Sequence, residues 1–274
     1  MWICPACRQA MTQQGRQWCC EQQHSYDCAK EGYVNLLLVQ HKNSKDPGDN
    51  KAMINARRAF LRAGFYAPLA ERIVEAMFSH LAPDAEQILD AGCGEGYYLA
   101  QLQERLLREG RQVALAGIDI AKNAVQKAAK AYPNMQFAVA SSARLPVADS
   151  SVDGVLQVFA PLGAAEAARV LAEGGIWIEV SPGPDHLAGL KAMVYDTAQV
   201  HHSETAVPDG FALQESLSVR FDIVLPSQDD REHLLMMTPF YWRAQKQAVQ
   251  RIRTELTSVQ ADFQLRVLRK RPVQ

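Results

Sequence analysis

Cysteine is almost absent from this sequence beyond its first segment. Five of the six cysteines lie within the first 28 of 274 residues, and only Cys93 follows them. No apolar run approaches the roughly 20 residues that a membrane-spanning helix needs. The start of the chain also lacks the basic and then apolar stretches of a signal peptide. We therefore expect a cytoplasmic protein without a membrane partner, and in that compartment clustered cysteines favour metal binding over disulfides.

The sequence also lacks an overall excess of charge of one sign, since its formal net charge is −1. The charges are nevertheless unevenly placed. Residues 42–72 hold seven Lys or Arg against three Asp or Glu, and residues 243–271 hold eight against two. Two basic segments on an otherwise acidic chain suit a localised site for a polyanion such as RNA, although solvated helix faces would give the same pattern. The first segment supplies the candidate RNA contacts Lys42, Lys45, Arg57, Arg58 and Arg62.

The spacing of the early cysteines predicts a structural zinc site. A Cys-x2-Cys pair is followed, after twelve residues, by a Cys-x3-His pair. A hairpin can bring two such pairs around one tetrahedral ion, and four protein ligands leave no position open for a catalytic water. Cys19 competes with its neighbour Cys20, and Cys28 is the alternative to His24. The expected ligands are Cys4, Cys7, Cys20 and His24.

After residue 85, segments typical of strands alternate with segments typical of helices. Repeated β-α-β units predict a parallel sheet covered by helices on both faces. Two further strands near the end, over 213–225 and 262–268, suit an antiparallel hairpin that completes the sheet. The predicted strands of the parallel part are 87–91, 113–119, 136–140, 152–158 and 175–181, and the helices are 97–109, 121–132 and 164–171.

Two helices are predicted before the sheet, over 51–63 and 67–80, and Asp49 is the expected N-cap of the first. The sequence therefore divides into three parts. These are a zinc-ribbon-like module over 1–36, a connector and basic helix over 37–65, and an α/β domain over 66–274 of the Rossmann-like class.

A glycine-rich loop follows the first predicted strand. In a parallel sheet, ligands bind beyond the carboxyl ends of the strands, and glycine lets the backbone turn sharply and approach a ligand closely. Asp90, Gly92 and Gly94, in the run Asp-Ala-Gly-Cys-Gly-Glu-Gly, resemble motif I of class I S-adenosylmethionine-dependent methyltransferases. Asp119 ends the second strand, where a carboxylate can accept hydrogen bonds from both ribose hydroxyls; NAD enzymes share this feature, and a helix N-cap is its structural alternative.

A segment after the third predicted strand adds to the methyltransferase pattern. Ser141 begins Ser-Ser-Ala-Arg-Leu-Pro, where methyltransferases commonly have Asp-Ala-x-x-Leu-Pro and the Asp bonds the adenine amino group. Serine at this position puts that side-chain contact in doubt.

Cys93, inside the glycine loop, has no base nearby in sequence and is expected to pack against the sheet. Phe159 could stack on a target base, but the sequence favours a core aromatic.

Several further motifs resemble a particular family. They are the run from Lys30 to Leu37, the segments around Pro47 and Arg57, Ser181-Pro182-Gly183-Pro184-Asp185-His186-Leu187, and Met237-Thr238-Pro239-Phe240. With the zinc spacing and the glycine loop, they make the whole chain similar to the bacterial 23S ribosomal RNA guanine-N1 methyltransferases, the ribosomal RNA large subunit methyltransferase A family.

This resemblance implies a function and further site residues. It implies methylation of N1 of a guanine in a domain II hairpin loop of 23S rRNA, at guanine 745 or its near neighbour, by a homodimer that uses S-adenosylmethionine and one structural zinc ion. It also implies that the zinc module helps to form the RNA cleft. The cofactor residues that carry over from the family are Tyr66, Gly94, Glu95 and His186.

The sequence does not reveal which residue removes the N1 proton of guanine. N1 carries a proton at neutral pH, so a base must remove it as N1 attacks the methyl group. No carboxylate in the sequence stands out as that base. The segment at the end of the fourth strand, Gln157 to Pro161, lacks the Asn-Pro-Pro-Tyr of amino methyltransferases, which disfavours an exocyclic amine as the target.

Three alternatives remain at this stage. The first is a small-molecule methyltransferase whose zinc ribbon is only structural. The second is a non-catalytic zinc-ribbon RNA-binding protein, and the third is an NAD-dependent enzyme. Methyl transfer to RNA separates the main hypothesis from the first two, and the identity of the bound cofactor separates it from the third.

Overall fold

The computed structural model describes residues 1–41, 47–195 and 206–272. Lys42 and Lys45, two of the expected RNA contacts, lie outside the described residues. In the described part, no helix is both long enough and apolar enough to cross a membrane.

The first part of the chain forms a small three-stranded antiparallel sheet. Its strands are β1 (Met11–Gln14), β2 (Gln17–Cys20) and β3 (Ser25–Asp27), in the order β1-β2-β3. A fourth short strand, β4 (Val34–Asn35), leaves this sheet and pairs in parallel with a strand of the main domain. The last residues of the predicted zinc module are therefore built into the main sheet.

Two helices precede the main domain: α1 (Lys51–Arg62) and α2 (Ala67–His80). The expected cap of α1 was wrong by one residue. Asn50, and not Asp49, caps this helix, because the Asn50 Oδ1 atom accepts hydrogen bonds from the backbone N–H groups of Ala52 and Met53 at 2.9 and 3.0 Å. Asp49 instead forms an ion pair with Arg57 at 2.5 Å.

The main domain has the predicted α/β alternation, followed by a long antiparallel hairpin. Its elements, in order, are β5 (Gln87–Ala91), α3 (Tyr97–Arg108), β6 (Ala114–Asp119), α4 (Lys122–Ala131), β7 (Gln136–Val139), β8 (Val152–Val158), α5 (Ala164–Val170), β9 (Leu171–Pro182), α6 (Ala188–Val194), β10 (Phe211–Val224), α7 (Gln228–Met236), α8 (Lys246–Glu255) and β11 (Ser258–Lys270). A 3-10 helix (Pro239–Arg243) joins α7 to α8.

The eight strands of the main sheet lie in the order β10-β11-β9-β8-β5-β6-β7-β4. Strands β4 to β9 pair in parallel, while β9 with β11 and β11 with β10 pair antiparallel. The chain proceeds from β5 outward to β7 and then returns to the other side of β5 as β8. The strand order therefore reverses between β5 and β8, and the crevice at their carboxyl ends is where an open α/β sheet binds its ligand.

Apolar side chains on both faces of β5 account for the position of this crevice. Ile88 and Leu89 point to opposite faces of the sheet and are both fully buried, in two separate clusters of the core. A central strand buried on both sides is typical of a parallel sheet. The end of β5, with the glycine loop that follows it, is thereby fixed against the core.

Candidate cofactor site and zinc cluster

The four expected zinc ligands come together in the first part of the chain. Their donor atoms, the three Sγ atoms and the imidazole nitrogen, all lie within 4.8 Å of one another. The Sγ atoms of Cys7 and Cys20 are 3.7 Å apart, and His24 Nδ1 lies 3.6 Å from Cys4 Sγ and 3.5 Å from Cys20 Sγ. A tetrahedral zinc ion requires about 3.8 Å between two sulfur ligands and about 3.6 Å between sulfur and nitrogen. The donor set and its spacing fit a structural zinc ion.

Two tight turns place these ligands. The N–H of Arg8 donates to the carbonyl of Cys4 at 2.7 Å, and the N–H of Gln23 donates to that of Cys20 at 2.9 Å. Arg8 and Gln23 both adopt left-handed backbone angles, with φ of 63° and 61°. Each ligand pair therefore lies on its own turn. Of the two competing cysteines, neither Cys19 nor Cys28 belongs to the cluster.

Cys4 is the most buried thiol of the cluster. Burial raises its pKa, but a hydrogen bond with the Tyr26 hydroxyl, at 3.5 Å, and bonds from the backbone N–H groups of Cys7 and Ala6 outweigh burial and lower the pKa to about 7. A thiol that ionises near neutral pH suits metal binding, because the thiolate is the ligand.

The zinc module docks on the loop that follows β7. The N–H of Ile3 donates to the carbonyl of Pro146 at 2.9 Å, and Trp2 forms an antiparallel bridge with Val147. The Trp2 side chain is buried in the same core cluster as β5 and β9. The zinc module therefore packs against the Leu-Pro segment of the methyltransferase pattern.

The glycine loop lies at the crevice between β5 and β8. The N–H groups of Gly92 and Cys93 both donate to the carbonyl of Ile118 at 2.8 Å. Gly92 has a φ of 96°, and a Cβ added there would lie 2.2 Å from the Cβ of Ala160, which follows β8. Gly94 has a φ of 54°, but the space beside it is open. Cys93 packs against Gly117 as expected, and burial raises its thiol pKa well above the usual range.

Two carboxylates border this loop, and only one of them is hydrogen-bonded within the described part of the chain. Asp119 accepts the N–H of Gly94 at 2.9 Å on Oδ2 and the N–H of Ala121 at 2.8 Å on Oδ1. Asp90 is 1% exposed, and neither of its oxygens has a partner among the described residues. Burial, with a smaller contribution from Asp119, raises the pKa of Asp90 to about 8.

A cation or a hydrogen-bond donor from a ligand would satisfy Asp90. S-adenosylmethionine carries both, an ammonium group and two ribose hydroxyls, and each oxygen of Asp119 still has a lone pair available for such a hydroxyl. The residues at the end of β5 and β6 therefore fit this cofactor.

Glu95 is engaged by two arginines of α1. Its carboxylate lies 2.9 Å from Arg58 Nε and 4.0 Å from Arg62 Nε, and its side chain is almost fully buried. Its carboxylate charge is thus directed at α1, so a cofactor would meet Glu95 through the backbone of the glycine loop. Together with the Asp49–Arg57 pair, these contacts give all three arginines of α1 carboxylate partners.

Ser141 is held in a local turn after β7. Its Oγ atom accepts the N–H of Ala143 at 3.3 Å, and its carbonyl accepts the N–H of Arg144 at 3.2 Å. The neighbouring Ser142 hydroxyl donates to the carbonyl of Pro161, in the loop after β8. The Ser142 bond ties the loop after β7 to the loop after β8.

Tyr66 and His186, far apart in sequence, meet around Phe263 of β11. The ring centroid of Phe263 lies 4.5 Å from that of His186, 5.1 Å from that of Tyr66 and 5.3 Å from that of Phe159. Tyr66 and His186 are both buried, with their ring centroids 6.4 Å apart. Sequence reasoning missed Phe263, since nothing in its local pattern distinguishes it from an ordinary strand residue.

Asp262 is a second residue that the sequence did not reveal. Its carboxylate accepts the N–H of Asp185 at 3.0 Å and the Nε–H of Arg220 at 2.9 Å, and its own N–H donates to His186 Nδ1 at 3.3 Å. A Cβ on Gly183 would lie 2.4 Å from the Asp262 carboxylate. Asp262 therefore shapes the Ser-Pro-Gly-Pro-Asp-His segment and orients the His186 ring.

The expectation that Phe159 belongs to the core was wrong. Its side chain is 44% exposed at the carboxyl end of β8, and its φ of 55° is left-handed. Its ring stacks beside that of His186, with an interplanar angle of 27° and centroids 6.4 Å apart. Phe159 leaves the core because the loop after β8 turns sharply here, with the buried Gln157 Nε2 donating to the carbonyl of Ala160 at 2.5 Å.

Two family models match parts of this chain, and solved structures resemble it. A family model described as "RlmA, N-terminal" matches residues 2–45, and one described as "Methyltransferase domain" matches residues 88–175. The solved structure of YcgJ from Bacillus subtilis overlaps 74% of this chain and 98% of its own at 15% identity and a TM-score of 0.47. The sheet order, the glycine loop at the point of reversal and the methyltransferase match define a class I S-adenosylmethionine-dependent methyltransferase with a zinc ribbon.

Two relatives narrow the class to a family. YxjB of Bacillus subtilis (strain 168), provisionally named a 23S rRNA (guanine-N1)-methyltransferase, is 35% identical over 258 residues, which cover 91% of this chain and 89% of YxjB. The 23S rRNA (guanine(748)-N1)-methyltransferase of Streptomyces fradiae is 38% identical over 191 residues, covering 68% of this chain and 65% of the relative. The chain belongs to the family of 23S rRNA (guanine-N1)-methyltransferases.

Proposed function

We propose that this enzyme transfers a methyl group from S-adenosylmethionine to N1 of a guanine in 23S rRNA. The target lies in a domain II hairpin loop, at guanine 745 or its near neighbour. The observation that carries the proposal is the similarity to YxjB over 91% of this chain, because it spans the zinc module together with the methyltransferase domain. A small-molecule methyltransferase without a zinc ribbon would share only the methyltransferase domain.

The proposed site residues divide between two ends of the cofactor. Asp119 accepts hydrogen bonds from the ribose hydroxyls, and Asp90 faces the amino-acid end. The remaining cofactor contacts are Tyr66, Gly92, Gly94, Glu95, Ser141 and His186. Cys4, Cys7, Cys20 and His24 hold the zinc ion, which stabilises the module over 1–36 for contact with RNA.

Phe159 is the proposed platform for the target base. It is exposed at the carboxyl end of β8 and next to His186, so a base stacked on its ring would lie beside the cofactor site. Base stacking on an aromatic ring is sequence-tolerant and contributes about 1–3 kcal/mol per base. The exposed ring and its left-handed backbone support this role, because a core phenylalanine needs neither.

The reaction requires an unpaired guanine. N1 takes part in Watson–Crick pairing, so the base must come from a loop or be flipped out of a helix. The cofactor supplies an electrophilic methyl group on sulfur, which is a good leaving group. The N1 proton must leave to a base as the bond to carbon forms, and the protein contributes chiefly by aligning the two reactants.

Two further features complete the proposal. The enzyme works in the cytoplasm, where ribosomal RNA is modified, and it acts as a homodimer whose zinc modules contribute to the RNA cleft. The connector over 37–65 joins each module to the cofactor domain over 66–274.

Primer extension on 23S rRNA tests the proposed target. Methylation at N1 removes a Watson–Crick donor, so reverse transcriptase should stop at the modified guanine. The RNA comes from a strain that lacks this protein and is incubated with enzyme, with and without S-adenosylmethionine. A cofactor-dependent stop in the domain II hairpin supports the proposal, whereas no stop, or a stop elsewhere in the RNA, contradicts it.

A further inference from the structure

The basic residues of α1, which the sequence offered as RNA contacts, are largely occupied by carboxylates of the same chain. Arg57 pairs with Asp49, and Arg58 and Arg62 both approach Glu95. An arginine already paired has less charge to offer a phosphate, since RNA binding would have to compete with the existing contact. The RNA surface must therefore rely on other cations.

Such cations lie where the 3-10 helix meets α1. Lys51, in the first turn of α1, and Arg243 and Lys246, at the end of the 3-10 helix and the start of α8, are all exposed. In the described part of the chain, none of the three forms an ion pair. Two segments separated by almost 200 residues meet here, because the Trp242 Nε1–H donates to Met53 Sδ at 3.3 Å and Arg57 Nη2 donates to the carbonyl of Met237 at 3.2 Å.

Trp242 lies at the centre of this surface and is unusually exposed for a tryptophan. Its side chain is 60% accessible, whereas Trp2 and Trp177 are buried in the core. The indole is nevertheless fixed, by the bond to Met53 and by an edge-on contact with the Tyr241 ring at a centroid distance of 5.2 Å. A rigid, exposed aromatic ring flanked by unpaired cations is the arrangement that proteins use to stack unpaired bases along a single strand.

We propose that Trp242, with Lys51, Arg243 and Lys246, forms an RNA-binding surface on which an unpaired base next to the target loop stacks. This inference rests on the proposed function, and it deepens that function by adding an RNA contact outside both the zinc module and the cofactor loop. The indole stacks on the base, and the three cations face the phosphates on either side. The stacking contribution is independent of salt, whereas the phosphate contribution falls as salt rises.

Two RNA probes and a set of matched variants test this surface. The probes are a synthetic hairpin with an unpaired guanine-containing loop and a fully paired duplex of the same composition, and binding is measured by titration at several salt concentrations. The variants are Trp242→Ala, Trp242→Phe and the double change Arg243→Gln with Lys246→Gln. Val224→Ala is the control, because Val224 is also an exposed apolar residue, 67% accessible, at the far end of β10.

The expected results differ between variants. Trp242→Ala should weaken hairpin binding about 10-fold, with duplex binding and the salt slope unchanged. Trp242→Phe should retain most of the affinity, since phenylalanine also stacks. In the double cation variant, the slope of log affinity against log salt concentration should fall by the equivalent of nearly two phosphate contacts. Val224→Ala should behave as the wild type. Zinc content and cofactor affinity, measured on each variant, should stay at wild-type levels.

Other outcomes would overturn the proposal. Hairpin affinity of Trp242→Ala within twofold of the wild type contradicts stacking, as does equal weakening of hairpin and duplex binding. A change in oligomeric state on Trp242→Ala, measured by sedimentation, would assign the surface to a second copy of this chain instead. Failure of the proposed function gives a different result, namely no methyl transfer to 23S rRNA by the wild-type enzyme even though Trp242 still contributes to hairpin binding.

Discussion

The zinc module and the cofactor edge hold their functional atoms in opposite ways. The cofactor edge is the carboxyl end of β5 and β6 together with the glycine loop. In the module, three short and mostly exposed strands carry two turns, and the four ligand atoms lie within 4.8 Å of one another, as one zinc ion would require. At the cofactor edge, the loop after β5 is fixed by buried strands and by backbone hydrogen bonds to Ile118. We therefore expect the module to depend on a bound zinc ion for its fold, whereas the edge is fixed by contacts within the protein.

This difference has a consequence for each region. Small modules with little core of their own derive their folding free energy from the bound metal. Loss of zinc should therefore unfold the whole module. The cofactor edge is held by contacts within the protein, and the buried Asp90 has no hydrogen-bond partner among the described residues. Changes there should affect stability or affinity in graded amounts, according to the contact that each residue makes.

Loss of one zinc ligand should have the largest effect. Structural zinc contributes about 10–16 kcal/mol of apparent binding free energy, so Cys20→Ser should reduce zinc from about one ion per chain to almost none and unfold the module. Cys19→Ser is the matched control, because Cys19 is adjacent but outside the cluster. Metal analysis of the purified proteins measures this, and zinc loss from Cys19→Ser instead would mean that the ligand assignment is reversed.

The two glycines of the loop should differ from each other. Gly92→Ala places a Cβ 2.2 Å from that of Ala160 and requires a left-handed backbone, so it should lower the free energy of unfolding by about 2–4 kcal/mol. Gly94→Ala meets open space and carries only the backbone strain, about 1–2 kcal/mol. Urea denaturation measures both. Equal losses would show that the Gly92–Ala160 contact does not constrain the loop.

Asp119 should matter for affinity, and a second carboxylate provides its control. Asp119→Ala removes the proposed acceptor for the ribose hydroxyls and should weaken S-adenosylmethionine binding by about 1–3 kcal/mol. Asp153 also accepts two backbone N–H groups, those of Glu86 and Gln87, but at the opposite end of the strands. Calorimetry should find unchanged affinity for Asp153→Ala. A similar loss in both variants would indicate a structural role for Asp119 rather than a ribose contact.

The free energy of unfolding should also depend on pH through Asp90. Its pKa is about 8 in the folded chain and near 4 when unfolded, so the folded state binds more protons between these values. Its contribution to stability is therefore complete below pH 4 and falls by up to about 1.4 kcal/mol per pH unit as pH rises to 8. The Asp90→Asn variant has no titrating group at this position, so its free energy of unfolding should not show this fall with pH. Parallel pH profiles of unfolding for the variant and the wild type would contradict the raised pKa.

Much of the molecule follows from local sequence patterns. The bounds of β5 and β8 and the fold class were predicted correctly, because alternating β-α units and the glycine loop are written within short windows. The zinc ligands come from spacing alone. These features need only neighbours along the chain, so a single sequence reveals them.

The missed features depend on contacts between distant segments. Asp262 organises the loop before His186, and Glu95 forms an ion pair with Arg58. Phe263 contacts four aromatic rings from separate parts of the chain. Phe159 looked like a core residue because its exposure depends on a turn made by residues after β8. No local pattern encodes such pairings, since each side chain is ordinary until the fold brings its partner close.

The nucleoside formed in the substrate tests the central claim most directly. 23S rRNA from a strain without this protein is incubated with the enzyme and S-adenosylmethionine carrying a labelled methyl group, then digested completely, and the labelled nucleoside is identified by chromatography and mass spectrometry. A guanine-N1 methyltransferase produces 1-methylguanosine, and no labelled product without enzyme. Recovery of N2-methylguanosine, or of a labelled small metabolite with unmodified RNA, would contradict the account.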